Sequence, residues 1–443
     1  MKEGGIMAGG LLTDLYELNM AASYLRRGMT GPATFSLFVR QLPADRGFLI
    51  AAGLEDCLRF LEEFSFTGGD LAYLRREQGY GEDTLRAFEG LRFTGEVWAV
   101  PEGRVVFAGE PLLEVTAPIA EAQLAETVLL NHVTFQTSVA TKAARCMLAA
   151  GGAQLVDFSF RRTQGIDAGL AVARASAVAG FAATSNVEAA RRFGLTAAGT
   201  MAHSFIEAFA DEELAFTAFA EDFPGKTTFL VDTYDTDRGV RTAIEVAHRL
   251  RLTGPVGVRL DSGDLAGLAR SARRLLDEAG LPGARIFASG GLDEYAIADL
   301  VAHEAPIDAY GVGTKMGVSA DAPFLDSAYK LVAYAGRPVM KLSPGKATAP
   351  GAKQVYRGPG GDVLALRDEP PRPDEEPLLV PVMRGGQRLN GRESLAEARR
   401  RCAADLARLP PAARALRGPA PVPVHVSEQL QRLKDQLTHD LTR

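Results

Sequence analysis

The stretch Gly199-Thr200-Met201-Ala202-His203-Ser204-Phe205 lies between a short apolar run, residues 193–198, and the helical pattern Ile206-Glu207-Ala208-Phe209. This order predicts a strand that ends near Gly199 and a loop that carries Thr200 and His203. In α/β barrels the carboxyl ends of the strands carry the catalytic residues. Taken alone, His203 is better explained as a helix-capping or core residue. Its role therefore depends on what the other strand ends carry.

Residues 153–314 repeat a short apolar run, a loop and a helical pattern. The predicted strands are 153–160, 195–199, 228–233, 255–260, 284–288 and 307–311, and the predicted helices include 169–181, 237–250, 264–279 and 294–303. Such alternation is typical of parallel strands joined by crossover helices, in an open α/β sheet or a barrel. The strands are too many and too evenly spaced for one dinucleotide-binding unit. We therefore predict an α/β protein with an irregular TIM-like barrel.

The segments on either side of the barrel pattern lack this regular alternation. The first predicted helix, residues 11–30, contains Tyr16, and two helical patterns, 391–408 and 426–442, close the chain. Residues 343–362 are rich in Gly, Pro and Lys and are predicted to be a loop. We predict three domains: an N-terminal α+β domain (1–135), the catalytic barrel (136–345) and a C-terminal loop and helical extension (346–443).

The composition is that of an ordinary soluble globular protein, with 47% apolar and 23% charged residues. A formal net charge of −6 provides no basic field for nucleic acid, so an anionic substrate needs a local cationic pocket. Three widely separated cysteines argue against a disulfide scaffold or a zinc site and fit a reducing cytoplasm. No apolar run approaches the roughly 20 residues of a membrane span. We expect no signal peptide, because the first residues lead into no long apolar run.

Polar, cationic or glycine residues follow every predicted barrel strand. In chain order they are Phe158, Arg161 and Arg162, then Thr200 and His203, then Asp232, then Arg259, Asp261 and Asp264, then Gly290 and Gly291, then Gly313, Thr314 and Lys315. Because the carboxyl ends of parallel strands meet on one rim, six such ends together predict an active site. The glycine loops expose backbone N–H groups that can wrap a phosphate. The arginines and Lys315 suit a polyanion such as a diphosphate.

Three aspartates and Phe158 at the strand ends indicate which class of ligand the rim could bind. Asp232, Asp261 and Asp264 can hold Mg²⁺ through oxygen ligands or bind sugar hydroxyls, although Asp264 is equally well explained as the N-cap of the helix that it begins. Phe158 offers a flat apolar face for an aromatic ring. The sequence contains no Walker A loop and no His-Glu-x-x-His motif. The rim therefore suits a phosphorylated sugar together with an aromatic ring.

Several motifs, in order from about residue 12 to residue 357, carry a specific resemblance. They are Thr13-Asp14-Leu15-Tyr16, Asp157-Phe158-Ser159-Phe160-Arg161-Arg162, Gly199-Thr200-Met201-Ala202-His203-Ser204, Val258-Arg259-Leu260-Asp261-Ser262-Gly263-Asp264, Gly311-Val312-Gly313-Thr314 and Pro350-Gly351-Ala352-Lys353-Gln354-Val355-Tyr356-Arg357. Together they resemble the nicotinate phosphoribosyltransferase family. The resemblance implies the type II phosphoribosyltransferase fold, with an N-terminal α/β domain, an irregular barrel and a C-terminal extension. It also implies a cytoplasmic homodimer that acts in NAD salvage.

The resemblance also implies an activity and a set of site residues. The family joins nicotinate to phosphoribosyl diphosphate in the presence of Mg²⁺, giving nicotinate mononucleotide and diphosphate, and couples this to ATP hydrolysis through a phosphorylated histidine. By resemblance that histidine is His203. The implied binding residues are Tyr16 (from the partner subunit), Thr200 and Arg259 for nicotinate, Phe158 stacked on its ring, Arg161 for diphosphate, Asp261 for ribose, and Gly290, Gly291, Gly313 and Thr314 for the phosphates.

Four alternatives remain to be weighed. The related nicotinamide enzyme resembles residues 183–187 but carries Asp where Ser185 stands, and an Asp would repel a carboxylate, so Ser185 favours nicotinate. The quinolinate enzyme shares the fold but is shorter and needs more cationic residues around the ring. A non-catalytic, nucleotide-binding relative is disfavoured by the intact Arg161, His203, Arg259 and Asp261. A phosphosugar aldolase lacks a clear Schiff-base lysine, since Lys315 belongs to the predicted phosphate loop.

Overall fold

The computed structural model describes residues 9–225, 227–252, 256–343 and 348–442. In chain order its α-helices are α1 (Leu15–Arg26), α2 (Leu54–Glu63), α3 (Gly68–Gln78), α4 (Glu82–Glu89), α5 (Ile119–Leu124), α6 (Glu126–Ala149), α7 (Ile166–Ala179), α8 (Val187–Phe193), α9 (His203–Glu207), α10 (Glu212–Asp222), α11 (Thr236–Arg249), α12 (Leu265–Glu278), α13 (Glu294–Ala302), α14 (Thr314–Gly317), α15 (Leu395–Arg408), α16 (Pro411–Arg414) and α17 (Glu428–Leu441). A 3₁₀ turn spans Phe160–Arg162.

The strands in chain order are β1 (Pro32–Val39), β2 (Leu49–Ile50), β3 (Glu96–Ala99), β4 (Val105–Val106), β5 (Pro111–Pro118), β6 (Gln154–Asp157), β7 (Ala183–Thr184), β8 (Thr228–Leu230), β9 (Gly257–Leu260), β10 (Arg285–Ala288), β11 (Ala309–Val312), β12 (Ser327–Tyr334), β13 (Arg337–Pro338), β14 (Lys353–Gly358), β15 (Gly361–Leu366), β16 (Glu376–Pro377), β17 (Val380–Arg384), β18 (Gln387–Arg388) and β19 (Val424–Val426).

The chain folds as two compact units. One unit comprises the chain up to Ser138 together with Phe324 onward, and the other comprises Val139–Pro323. The N-terminal and C-terminal segments therefore share a unit, whereas the sequence had suggested a separate C-terminal extension with boundaries after residues 135 and 345. Residue 345 itself lies outside the described residues. Within those residues, no helix is both long enough and apolar enough to span a bilayer.

The unit formed by the two ends of the chain is built on a seven-stranded antiparallel sheet in the order β13-β12-β1-β5-β3-β17-β18. Strand β1 buries Phe35, Leu37 and Val39 on one face and Thr34 and Ser36 on the other, so both of its faces are covered. The Phe35 ring stacks on Tyr329 of β12, with ring centroids 4.7 Å apart. This pairing brings chain from before and after the barrel into one core.

A second sheet in this unit, in the order β16-β14-β15-β19, corrects the prediction of a loop over residues 343–362. Residues 344–347 lie outside the described residues, but Lys353–Gly358 forms β14. The prediction was wrong there because glycines and prolines flank this strand and obscured it. The C-terminal segment, expected to be loop and helix, therefore also contains strands, while the predicted helices at 391–408 and 426–442 are confirmed as α15 and α17.

The other unit is built on a parallel six-stranded sheet in the order β7-β6-β11-β10-β9-β8. The side chains of Leu155, Val258 and Ile286 in its inner strands are fully buried. Strands predicted at 153–160, 228–233, 255–260, 284–288 and 307–311 are confirmed as β6, β8, β9, β10 and β11, although residue 255 lies outside the described residues. The crossover helices predicted between them are confirmed as α7, α11, α12 and α13. No hydrogen-bonded pairing joins β7 to β8 in the described part of this unit, so its sheet is open there.

The prediction of a strand at residues 195–199 was wrong. The preceding residues form α8, which ends at Gly194 in the left-handed conformation (φ 65°). Beyond it only Ala197 makes a single parallel bridge, to Thr184 of β7. The strand beside β6 is therefore the two-residue β7, which is too short to produce a recognisable pattern. His203 follows an irregular segment and begins α9.

Candidate active site

The carboxyl ends of the parallel strands bring most of the predicted site residues together. Because β6, β11, β10 and β9 are neighbours in that order, the residues after each strand lie side by side. Backbone hydrogen bonds extend the pairing into the loops: the Phe158 N–H donates to Val312 O at 2.9 Å, and the Ser289 N–H donates to Leu260 O at 2.8 Å. The rim predicted from the sequence is therefore present as a structural feature.

Arg259 is the centre of a hydrogen-bond network on this rim. Its Nε donates to Ser289 Oγ at 2.8 Å, and its Nη2 donates to Asp261 Oδ1 at 2.6 Å. Its Nη1 donates to Thr200 Oγ1 at 3.2 Å and to the Met201 carbonyl at 3.3 Å. These contacts fix the planar guanidinium in one orientation. They also connect the irregular segment around Thr200 to the ends of β9 and β10.

Asp261 is held as a carboxylate by its neighbours. Burial acts to raise the pKa of Asp261, but the hydrogen bond from Ser289 and the charges of Arg259 and His203 outweigh it, so the pKa lies below its ordinary value. The Asp261 N–H donates to Asp232 Oδ2 at 2.8 Å. A negative group with a fixed direction therefore faces the rim beside Arg259.

His203 lies next to this carboxylate. Its Nδ1 is 3.1 Å from Thr233 Oγ1, and its Nε2 is 4.0 Å from Asp261 Oδ2. The side chain is 39% exposed, so the imidazole is both oriented and accessible. The explanation of His203 as a core residue is therefore wrong. It is instead the first residue of the short helix α9 and is held by the loop after β8.

Phe158 lies on the other side of Arg259. The guanidinium carbon of Arg259 is 5.4 Å from the centre of the Phe158 ring, within the range of a cation–π contact. A Cβ atom on Gly311 would lie 2.6 Å from this ring, so only glycine permits the ring to pack there. Arg161, in the 3₁₀ turn after Phe158, is exposed and has no ion-pair partner among the described residues. Its charge is available to an anion.

The two predicted phosphate loops follow β10 and β11. Gly290 and Gly291 both have left-handed backbones, with φ of 94° and 66°. Gly313 precedes Thr314, the first residue of the one-turn helix α14. Lys315, expected to supply a cation for a polyanion, forms an ion pair with Asp293 at 2.9 Å.

The other aspartates have different roles. Asp264 accepts the Gly267 N–H at 3.1 Å and caps α12. This supports its explanation as a helix N-cap over that as a ligand of Mg²⁺ or sugar hydroxyls. Asp232 accepts from Ser262 Oγ at 2.9 Å as well as from the Asp261 N–H, while its Oδ1 is buried and has no hydrogen-bond partner among the described residues. Within the described residues, no group of three His, Cys, Asp or Glu side chains has the arrangement of a metal site.

Tyr16 belongs to the compact unit formed by the two ends of the chain. It lies on α1 and is 48% exposed. Burial of its hydroxyl group raises the pKa of Tyr16, and the nearby carboxylates of Glu126 and Glu17 raise it further. The phenol is therefore neutral at physiological pH.

Three residues of the rim were given no role of their own from the sequence, although Thr233 and Ser289 belong to the stretches that follow predicted strands. Thr233 orients His203, Ser289 links Arg259 to Asp261, and Asp293 pairs with Lys315. Thr233 and Ser289 stand directly at predicted strand ends, which could have drawn attention to them. For Asp293 the only available signal was its position before a helical pattern, which is that of an ordinary N-cap.

Comparison with known proteins identifies the family. Three family models match successive parts of the chain: the nicotinate phosphoribosyltransferase N-terminal domain at residues 11–134, the nicotinate phosphoribosyltransferase family at 153–344, and the nicotinate phosphoribosyltransferase C-terminal domain at 372–434.

Individual relatives agree with these models. A nicotinate phosphoribosyltransferase of Mycobacterium tuberculosis is 51% identical over 387 residues, covering 86% of this chain and 83% of the relative. That of Bacillus subtilis is 46% identical over 378 residues, covering 81% and 76%. The crystal structure of human nicotinic acid phosphoribosyltransferase superposes with a TM-score of 0.86 at 32% identity, covering 96% of this chain and all of that one. The chain belongs to the nicotinate phosphoribosyltransferase family and has its type II phosphoribosyltransferase fold.

Proposed function

We propose that this protein transfers the phosphoribosyl group of 5-phosphoribosyl 1-diphosphate to the ring nitrogen of nicotinate. The products are nicotinate mononucleotide and diphosphate, and the reaction serves NAD synthesis by salvage. The observation that carries the proposal is the Arg259 network, which places a fixed cation between an aromatic ring, Phe158, and a carboxylate, Asp261, on the strand-end rim. The names of the relatives supply the substrates.

The chemistry requires stabilisation of two charges. As diphosphate leaves C1 of the sugar, the ribose gains oxocarbenium character and the departing oxygens gain negative charge. The exposed Arg161 is suited to the departing diphosphate, and the N–H groups of the two glycine loops are suited to phosphate groups of the substrate. The Asp261 carboxylate is suited to the ribose, where it binds hydroxyl groups and favours the developing positive charge. No covalent sugar intermediate is needed.

Nicotinate requires a different part of the rim. Phe158 supplies an apolar face for the pyridine ring, and Arg259 supplies a cation for its carboxylate. Since Ser289 and Asp261 already fix the guanidinium, little side-chain freedom is lost when the substrate binds. Holding the ring nitrogen in line with C1 accounts for a large part of the rate enhancement expected of such a site.

Mg²⁺ fits the residues of this rim. Within the part of the chain that the structure describes, the buried Oδ1 of Asp232 has no hydrogen-bond donor and could serve as an oxygen ligand, and Asp261 lies beside it. With so few carboxylates, Mg²⁺ would share its coordination sphere with water and substrate oxygens, which is its usual mode of binding. The ion would supply Lewis-acid neutralisation of the diphosphate.

ATP hydrolysis is coupled to the reaction through His203. A neutral imidazole nitrogen attacks the γ-phosphorus of ATP, and the bond to the bridging oxygen breaks, releasing ADP. Water then cleaves the phosphorus–nitrogen bond, giving inorganic phosphate and regenerating the imidazole. The hydrogen-bonding distance to Thr233 supports this role, because it fixes the ring while leaving the side chain accessible.

A homodimer completes the site in the cytoplasm, with Tyr16 of each subunit contributing to the nicotinate site of its partner. The exposed, apolar side chains of Leu12, Leu15 and Tyr16, between 41% and 48% accessible, support an association through this part of α1 and the residues before it.

The test follows phosphate transfer and turnover in the same preparation. With nicotinate, phosphoribosyl diphosphate and Mg²⁺, we expect mononucleotide formation that rises when ATP is added, and incorporation of γ-phosphate label into the protein. His203→Ala should lose the label and the stimulation while keeping the ATP-independent reaction.

The matched control for this test is His248→Ala, which replaces an exposed histidine whose Nε2 lies 3.0 Å from the Ala279 carbonyl oxygen. It should behave like the native protein. Label retained by His203→Ala would overturn the role of His203, and absence of nicotinate turnover would overturn the proposed function.

A further inference from the structure

Asp157 is the last residue of β6 and stands directly before Phe158, with its side chain fully buried. Its Oδ1 accepts the Ser159 N–H at 2.9 Å and the Ser159 hydroxyl at 2.5 Å. Its Oδ2 accepts the Thr184 hydroxyl at 2.7 Å. The hydrogen bond between Asp157 and Thr184 therefore links the turn that follows β6 to the end of β7.

The number of donors explains why a carboxyl group stands at this position. Asparagine or serine can also accept the N–H of the residue two positions ahead, so the turn alone does not require an aspartate. Together with the two hydroxyl groups, three donors meet two acceptor oxygens, whereas an amide offers one. Burial raises the pKa of Asp157, although these hydrogen bonds act to lower it. The carboxyl group is therefore costly to bury, and what it adds over an amide is the link to Thr184.

The turn on one side of this link carries the aromatic face of the rim. Phe158 stands between Asp157 and Ser159, so both of its chain neighbours take part in these hydrogen bonds. Ser159 is itself buried, and a Cβ atom on Gly317 would overlap its Cβ atom, so α14 packs closely against the turn. The backbone that directs the Phe158 ring toward Arg259 is therefore fixed on both sides.

The end of β7, on the other side of the link, carries Ser185. The Ser185 N–H donates to the Asp157 carbonyl at 2.8 Å, and Thr184 Oγ1 accepts the Asn186 N–H at 3.0 Å. The Thr184 carbonyl accepts the Ala198 N–H at 2.9 Å. Because β7 has only two residues and lies at the edge of its sheet, it makes few backbone hydrogen bonds. The link from Asp157 adds to those few bonds in positioning Ser185.

We propose that Asp157 is a positioning residue for the ring substrate and acts through Thr184. It holds the end of β7 at a fixed distance from the turn after β6, and so keeps Ser185 in place beside the Phe158 ring. This inference rests on the proposed function, which places nicotinate at Phe158. It gives a part in ring binding to a buried carboxyl group that touches no substrate.

The variant Thr184→Val breaks the link while it leaves Asp157 in place. Valine has nearly the shape of threonine but no hydroxyl group. We expect the KM for nicotinate to rise about fivefold, and the KM for phosphoribosyl diphosphate to change less than about twofold, in steady-state assays. A loss of stability alone would lower the folded fraction and hence the apparent kcat, but neither KM. Thr184→Ser keeps the hydroxyl group and should restore the native KM for nicotinate.

Asp157→Asn tests the other partner of the link. It keeps one acceptor oxygen for the Ser159 donors and should also raise the KM for nicotinate. In this background Thr184→Val should raise that KM by less than about half as much as in the native protein, because both changes remove the same link. The matched control is Thr34→Val, which removes another buried hydroxyl group, 2.9 Å from that of Thr116 in the other compact unit. It should leave both KM values unchanged.

The possible failures can be distinguished. If the native protein uses nicotinate, an unchanged KM for nicotinate in Thr184→Val or in Asp157→Asn would overturn the inference. An equal rise in Thr184→Ser, fully additive effects of the two changes, or equal rises in both KM values would overturn it as well. Native protein that does not use nicotinate would instead overturn the proposed function, and the inference with it.

Discussion

At the scale of single residues, Ser185 bears on the choice between nicotinate and nicotinamide. It directly follows β7, and its N–H donates to the Asp157 carbonyl at 2.8 Å, which places it at the end of a strand beside Phe158. Ser185→Asp would place a second negative charge near the carboxylate of nicotinate. We expect the KM for nicotinate to rise about tenfold, which corresponds to about 1.4 kcal/mol.

Ser185→Asn is the matched control, because it has the shape of the aspartate without its charge. It should use nicotinate nearly as well as the native protein in a steady-state assay with either ring substrate. Equal KM values for nicotinate in the two variants would show that charge at this position does not determine selectivity.

Gly290 is required by local geometry. Its φ is 94°, and a Cβ atom would lie only 1.8 Å from the carbonyl oxygen of Asp261. Gly290→Ala must therefore displace the loop after β9. We expect the free energy of unfolding to fall by roughly 2–4 kcal/mol and the enzymatic activity to be lost as well.

Gly291→Ala is the control for Gly290→Ala, and urea unfolding measures the stability of both variants. Gly291 also has a positive φ, of 66°, but apart from Gly291 and its two chain neighbours no heavy atom of the described residues lies within 4 Å of its Cβ position. Only the backbone penalty of about 1 kcal/mol should remain. Equal losses for the two variants would mean that the contact with Asp261 is not the cause.

At the scale of elements, α10 contains a carboxyl group whose charge opposes folding. Burial raises the pKa of Glu212 from its ordinary value of 4.5 to about 7, although Arg238 acts to lower it. Its Oε1 is buried and finds no hydrogen-bond partner among the residues that the structure describes. As the pH rises from 4.5 to 7, the unfolded chain loses this proton more readily than the folded one, so the protein loses stability over that range.

Glu212→Gln removes the charge, so the variant should be more stable than the native protein at pH 8 and should lose this advantage at pH 5. Urea unfolding at the two pH values measures the difference. Glu213→Gln, at the neighbouring exposed position, should show no comparable gain. A gain of the same size at both pH values would exclude titration of Glu212 as its cause.

Elements formed by local interactions could be predicted from the sequence, whereas elements that depend on contacts between distant segments could not. The inner strands β6, β9, β10 and β11 are local apolar runs and were predictable. The two-residue strand β7 forms because β6 provides an edge for it to pair with, so the local sequence pattern could not predict β7. In the site, residue types at strand ends were predictable. The partners of Arg259 were not, because they depend on side-chain conformations set by the packing of three separate loops.

At the scale of the whole molecule, the proposed homodimer predicts complementation between inactive chains. Tyr16→Ala and Arg259→Ala should each have little activity alone. If Tyr16 serves the partner's site, a mixed dimer contains one intact site, and random mixing of equal amounts should restore about one quarter of native turnover. Chains mixed through unfolding and refolding test this. Failure to restore activity in a preparation that contains mixed dimers would place Tyr16 in the site of its own subunit.

The rim around Arg259 is proposed to select nicotinate as the acceptor of a phosphoribosyl group. The most direct measurement supplies the native protein with phosphoribosyl diphosphate, Mg²⁺, ATP and equal concentrations of nicotinate and nicotinamide, and identifies the mononucleotide by mass. We expect nicotinate mononucleotide in large excess, with one diphosphate released for each molecule formed. Predominant formation of nicotinamide mononucleotide would contradict selection of nicotinate by this rim, and diphosphate release without any mononucleotide would contradict phosphoribosyl transfer.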